Sequence, residues 1–470
     1  MKLFGLFSIF LLIIPFSLQG QSFADFKRTQ SGSFQTFKDE KDKQFNTYLQ
    51  EQWQEYEAYA TPDLYTNPKP KTIEGLHEMQ TKPIGPNIDI AIIKLGDQNK
   101  TSDLLVSVKN EFSFDFFGTY LGFDIDPKMK TARFYPRNQN GILSFFGVMA
   151  SSDYESIVFK LQSISKKMNL NDWGVYELVA QLSKSIYAKP DEEKLFRWFI
   201  LNKMSYDTKI ALWQNHVVLL QNTLQTVYAT PRYKISGIYY YALDHQNTHE
   251  SLGRLYTYEK NYPQAVKKLD FKLQELPNLN ESVSIRKLSF SSAGKTYDFE
   301  LKLNKNLIDY MGSYPQVDYD VYFNADFDKR VYSDLSRQIR EYLNGQKASY
   351  GLNFLLHLVQ KSFTYERDED QFGKNKVMFA EETLYHKSSD CEDRAVLFAK
   401  LVKKIFNYSV VGVKYADHMS TALYVPIEGD EVKIASRRYV IADPTYVNAN
   451  IGMNMPKYKH IQPESFIKLQ

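Results

Sequence analysis

The alternation of apolar and polar positions divides this chain into stretches of different period. The first, MKLFGLFSIFLLIIPFSLQGQSF, is a short apolar run after one Lys that gives way to small and polar residues near Gly20 and Gln21. Such a run is too short to span a bilayer comfortably and has the layout of a cleaved secretory signal over residues 1–21. No later stretch approaches spanning length, so the mature chain is expected to be exported, periplasmic or extracellular, without membrane insertion. From Asp25 to Tyr59 the sequence is charged, with Phe34, Phe37, Phe45, Tyr48, Trp53 and Tyr56 at helical spacings. This predicts an amphipathic helix whose aromatic stripe either docks on the main body or receives a partner. The proline-rich TPDLYTNPKPKT then ends it, so residues 22–82 read as a helical arm and linker.

Beyond Pro83 the pattern repeats. Residues 174–186 run GVYELVAQLSKSI and residues 351–363 run GLNFLLHLVQKSF: Gly, Lys and Ser recur at the same places and apolar residues coincide at five more. Both are amphipathic helices followed by a Tyr and an acidic cluster, YAKPDEE and YERDED. Each is succeeded by an apolar helix, a strand, a His ten residues after a Tyr (Tyr206 and His216, Tyr408 and His418), and a strand closing on Asp244 or Asp443. The order helix, helix, strand, His, strand, Asp therefore occurs twice, which predicts an internal duplication. β-rich sequence is expected before each copy, roughly over 87–148 and 281–325.

The chain holds one cysteine, Cys391, within SSDCEDR. In an exported protein it has no disulfide partner of its own chain, so it is a reactive group, an intermolecular link or a buried structural thiol. Ser389 followed by Glu392 has the form of a capping box, and Ala395, Phe398, Leu401, Val402 and Ile405 fall on one helical face. Cys391 is thereby placed in the first turn of a helix, where unpaired N–H groups favour the thiolate. If HMSTALYVP and RRYVIAD form a hairpin turning in EGDE, His418 and Asp443 are direct cross-strand neighbours. Asp443 can then hold one imidazole nitrogen and leave the other for the thiol.

DCEDRAVLFAKLV, DHMSTALYV and VIADPTY, taken together, resemble the Cys, His and Asp blocks of the transglutaminase-like superfamily, whose papain-like core is shared with cysteine peptidases. DCED is similar to the nucleophile block of bacterial transglutaminase-like cysteine proteinases. The resemblance covers roughly 330–450 and implies an α+β fold with the catalytic domain in residues 331–470. It implies Cys391 as nucleophile, His418 as general base and acid, and Asp443 as the group orienting His418. The backbone N–H of Cys391 is the one oxyanion donor that can be named. The chemistry implied is a thioester acyl-enzyme on a protein or peptide substrate, resolved by water in a peptidase or amidase and by an amine in a crosslinking transglutaminase. The alternative is an exported binding protein with a vestigial triad.

No cofactor is required by this chemistry. Asp390 and Glu392 flank the thiol; in some related proteinases acidic residues here bind calcium, whereas on their own they read as carboxylates complementing the helix dipole. The first half, residues 83–275, lacks the segment that carries the nucleophile, and Glu192 or Glu193 stands where the cysteine would be. It reads as a degenerate copy with His216 and Asp244 as inherited geometry, and residues 276–330 as a β-rich segment between the halves. His245 and His249 have an HxxxH spacing without the Glu of a metalloprotease or a third ligand, and read as a solvated loop. The formal charge of +3 over 470 residues gives no basis for nucleic-acid binding.

Overall fold

The computed structural model describes residues 40–56, 58–59, 111–246 and 252–469, so the signal, most of the arm's linker and His249 lie outside the described residues. The fold is mixed α+β. Among the described residues no helix is long and apolar enough to cross a membrane.

In the first half, helices α1 (Asp172–Ile186) and α2 (Pro190–Lys203) precede strands β1 (Thr208–Trp213), β2 (His216–Asn222), β3 (Arg232–Ile235), β4 (Ile238–Tyr241) and β5 (Leu255–Tyr258). In the second, α3 (Ala348–Lys361) is followed by short strands β6 (Thr364–Tyr365) and β7 (Ser388–Ser389), then α4 (Cys391–Phe406). Strands β8 (Val410–Tyr415), β9 (His418–Leu423), β10 (Glu431–Ile434), β11 (Arg437–Ala442) and β12 (Ser465–Lys468) complete it. The second sheet has the order β10-β11-β9-β8-β12, and the first contains β3-β4-β2-β1-β5. Position for position this is one topology, antiparallel throughout. The repeat read in the sequence is therefore a repeat of three-dimensional order. The copies differ in the connection between their helices: Tyr187–Lys189 in the first, Ser362–Asp390 in the second.

Several expectations change. Within the described residues the arm is helical over 40–51, Phe34 and Phe37 lying outside them, and Trp53–Tyr56 is a strand on the edge of the first sheet, paired with β5. Phe45 docks edge-on against Tyr258 and Tyr262, so this part of the aromatic stripe serves packing on the body. Of the sequence expected to be β-rich over 87–148, the described residues from 111 onward form one hairpin, Phe112–Phe116 with Thr119–Phe123, and then helices including Gln139–Ala150. Between the copies a long hairpin, Val283–Ser292 with Lys295–Asn304, is followed by helices Lys305–Gly312 and Tyr319–Asn324.

The hairpin joining His418 to Asp443 also differs. Strand β10 stands between β9 and β11 in sequence and pairs with β11 through a two-residue turn at Ala435 and Ser436. The pairing of β9 with β11, Thr421 opposite Ala442, continues to put Asp443 opposite Ser420 rather than His418. The first sheet has the same offset, since Gln221 opposite Tyr241 continues to Asp244 opposite Val218. A shift of two residues preserves the face of the sheet, so His418 and Asp443 still point to the same side.

Candidate active site

Helix α4 is the centre of the second half: every residue from Cys391 to Val402 is buried, because α3 and helix Ala380–Tyr385 cover the sides that the sheet leaves open. Its N-cap is Asp390, one residue later than the sequence suggested, and Asp393 rather than Glu392 closes the turn by accepting from the Asp390 N–H at 3.2 Å. Cys391 is thus the first helical residue, as expected for a thiol at a helix start.

Of the three residues of the expected triad, His418 and Asp443 pair directly, and Cys391 lies against the strand that carries His418. His418 Nε2 donates to Asp443 Oδ2 at 2.8 Å, within a buried setting. The other carboxylate oxygen of Asp443 accepts from the Thr445 N–H at 2.9 Å, and its backbone carbonyl accepts from Gln360 Nε2 at 3.0 Å. The carboxylate is consequently fixed from two sides, and with it the plane of the imidazole. The Met419 N–H, one residue past His418, donates to the Cys391 sulfur. Tyr458 stacks on His418 with ring centroids 4.9 Å apart, and its hydroxyl donates to Asp417 at 2.9 Å. Cys391 and His418 are 1% and 6% exposed, so this arrangement is a closed one.

Its electrostatics correct the sequence expectation. Burial, reinforced by the carboxylates of Glu392 and Asp390, pushes the Cys391 thiol well above its ordinary range, overriding the helix N-terminus. The thiol accordingly donates, at 2.9 Å, to Glu392 Oε2. Burial also raises Asp390 and Glu392, and it pushes Asp393 up to about 7 with help from Glu392. Asp368, which the sequence reading did not single out, joins this cluster: Asp368, Asp390 and Glu392 each place an oxygen within 4.8 Å of the others. Both carboxylate oxygens of Asp390 and Oε1 of Glu392 are buried without a hydrogen-bond partner. Buried oxygen donors in this number, with no sulfur or imidazole among the three residues, suit a hard cation.

Among the described residues the first half shows no counterpart of this His–Asp pair. Asp191, not Glu192 or Glu193, meets the histidine: its Oδ2 lies 3.3 Å from His216 Nδ1 and 2.7 Å from Arg137 Nη2. Glu192 instead accepts from the Phe134 N–H at 3.3 Å. Asp244 turns away from His216 and takes Arg197 through both oxygens at 3.0 Å. Only the backbone register is inherited there, not the His–Asp pair. His245 lies in a short 3-10 turn.

Gln360 and Tyr458 were not legible as site residues because nothing in local periodicity marks them. Asp368 sits in the acidic YERDED cluster, a visible signal whose meaning depends on how residues 362–390 fold back. No protein-family model, curated protein or solved structure matches the chain.

Proposed function

We propose that the second half is a thiol-dependent acyl hydrolase of transglutaminase-like, papain-like architecture, acting on an amide of a protein or peptide outside the cytoplasm. The observation that carries the reading is the meeting of Cys391, at a helix start, with the strand that presents an Asp443-paired His418. The apolar run at residues 1–21 supports export.

In this mechanism the Cys391 thiol gives its proton to His418 and the sulfur bonds to the amide carbonyl carbon. The tetrahedral intermediate collapses as His418 protonates the leaving amine, leaving a thioester. Water, deprotonated by His418, attacks the thioester; the C–S bond breaks and the thiol regains its proton. Asp443 keeps the imidazole in one tautomer and orientation, and Gln360 keeps Asp443 in place. Asp368, Asp390 and Glu392 are the residues that would hold calcium. Bound there, the ion would neutralise the carboxylates that now disfavour the thiolate.

The test is alkylation of the full chain by iodoacetamide near pH 6, with calcium and with chelator. The nucleophile reading expects Cys391 to react faster in the folded calcium-loaded protein than after unfolding, and His418→Ala to abolish that advantage. The burial of the thiol favours a second reading, an exported binding protein with a vestigial triad; in that case the thiol reacts only after unfolding under both conditions. Release of amine from a peptide amide, with and without an added primary amine, then separates hydrolysis from crosslinking.

A further inference from the structure

Three phenols lie close enough to Cys391 for its charge to act on them: Tyr319, Tyr365 and Tyr458. The Tyr458 hydroxyl is bonded to Asp417, and Tyr319 has a partner of its own. The Tyr365 hydroxyl is different, being buried with no hydrogen-bond partner. A donor left in that condition costs on the order of 1–3 kcal/mol, so its retention calls for an acceptor that arrives later.

Its position is fixed by the nucleophile's own helix. Tyr365 pairs in parallel with Ser389, two residues before Cys391. Arg394, one turn into α4, lies 5.3 Å from the Tyr365 ring centroid. The same guanidinium donates to the Phe363 carbonyl at 2.8 Å, the Gln360 carbonyl at 3.3 Å and Ser389 Oγ at 3.0 Å. Ring, strand and helix start are thus locked to one buried cation. Burial, followed by the charges of Cys391, Asp390 and Glu392, holds the phenol far above its ordinary range, so it keeps its proton and has an O–H to donate.

We propose that Tyr365 is a catalytic residue, its hydroxyl serving with the Cys391 N–H as the oxyanion hole of the acyl-transfer site; this rests on the reading of Cys391 as nucleophile. As the sulfur bonds to the carbonyl carbon, the π pair moves onto oxygen and the Tyr365 O–H donates a hydrogen bond to it. No proton is transferred, and on collapse the pair returns while the leaving group departs. The first copy differs on both counts: the Tyr that follows its helix, Tyr187, already donates to the Met129 carbonyl at 2.7 Å, and the chain's one thiol lies in the second copy.

The experiment compares wild type and Tyr365→Phe as full chains with calcium, using two probes of the same sulfur. Iodoacetamide alkylates by displacement and forms no oxyanion, whereas p-nitrophenyl acetate acylates through one. The expected result is an unchanged alkylation rate and a thermal midpoint at or above that of wild type, with the acylation burst slowed about 10²–10³-fold. Acylation within about threefold of wild type while alkylation is intact overturns the Tyr365 assignment and leaves the nucleophile standing. A parallel fall in both rates assigns the phenol a merely structural role and also overturns it. A wild-type thiol silent to both probes overturns the nucleophile reading and this inference with it.

Discussion

Glu392 sets the state of the thiol more than any other single side chain: it accepts the Cys391 S–H at 2.9 Å and is the first charge, after burial itself, to raise that thiol. Replacing it by Gln keeps the shape and removes the charge. In chelator, the pH dependence of iodoacetamide alkylation is therefore expected to move to lower pH in Glu392→Gln than in wild type. An unmoved profile would show that burial alone governs the sulfur. The sequence told the type of residue at this position but not the sign of its effect. Reading a helix N-terminus predicts a favoured thiolate, whereas the folded chain surrounds that terminus with Asp368, Asp390, Glu392 and Asp393, one of them supplied from more than twenty residues upstream.

At the scale of elements, helix α4 was legible because its apolar period and polar start are local properties, and the pairing of β9 with β11 because parity survives a two-residue error in register. Strand β10 was hidden, since its turn carries Ala435 at φ 53° and Ser436 instead of the Asn or Gly that would announce a tight hairpin. The fold-back of residues 362–390 was hidden too, being built of elements too short to show a period. One of them, helix Ala380–Tyr385, holds Glu381, whose Oε1 accepts from the Asp328 N–H at 2.7 Å. Burial, aided by the charge of Asp328, pushes this carboxyl up to about 8 from its ordinary 4.5. Between those two values the unfolded chain releases the proton and the folded chain keeps it. The stabilising contribution is thus complete in acid and lost as pH rises through about 8. Its slope is at most about 1.4 kcal/mol per pH unit. Urea midpoints measured across this range should fall with pH in wild type and fall less steeply in Glu381→Gln; equal slopes would refute the assignment.

For the whole molecule, polar contacts join the first half to the segment between the halves, and that segment to the second half, where Gln316 Oε1 accepts from the Val377 N–H at 2.9 Å. Trp173 Nε1 donates to Ser313 Oγ at 2.9 Å, the Tyr228 N–H donates to the Gln316 carbonyl at 2.8 Å, and Asp318 accepts from the Thr226 N–H at 2.8 Å. A ligand that stabilises the second half should therefore be felt in the global unfolding transition. Calcium bound by Asp368, Asp390 and Glu392 is expected to raise the thermal midpoint in a concentration-dependent way, and Asp368→Asn to remove most of that rise. An equal rise in the variant would move the ion elsewhere. The doubled topology has one more consequence. Because an extra ribbon separates each histidine strand from the turn of the neighbouring hairpin, that outer turn can lengthen, shorten or carry a grafted sequence without sliding the imidazole past its carboxylate. Descendants of such a scaffold are free to remodel what approaches from the flank while His418 and Asp443 stay paired.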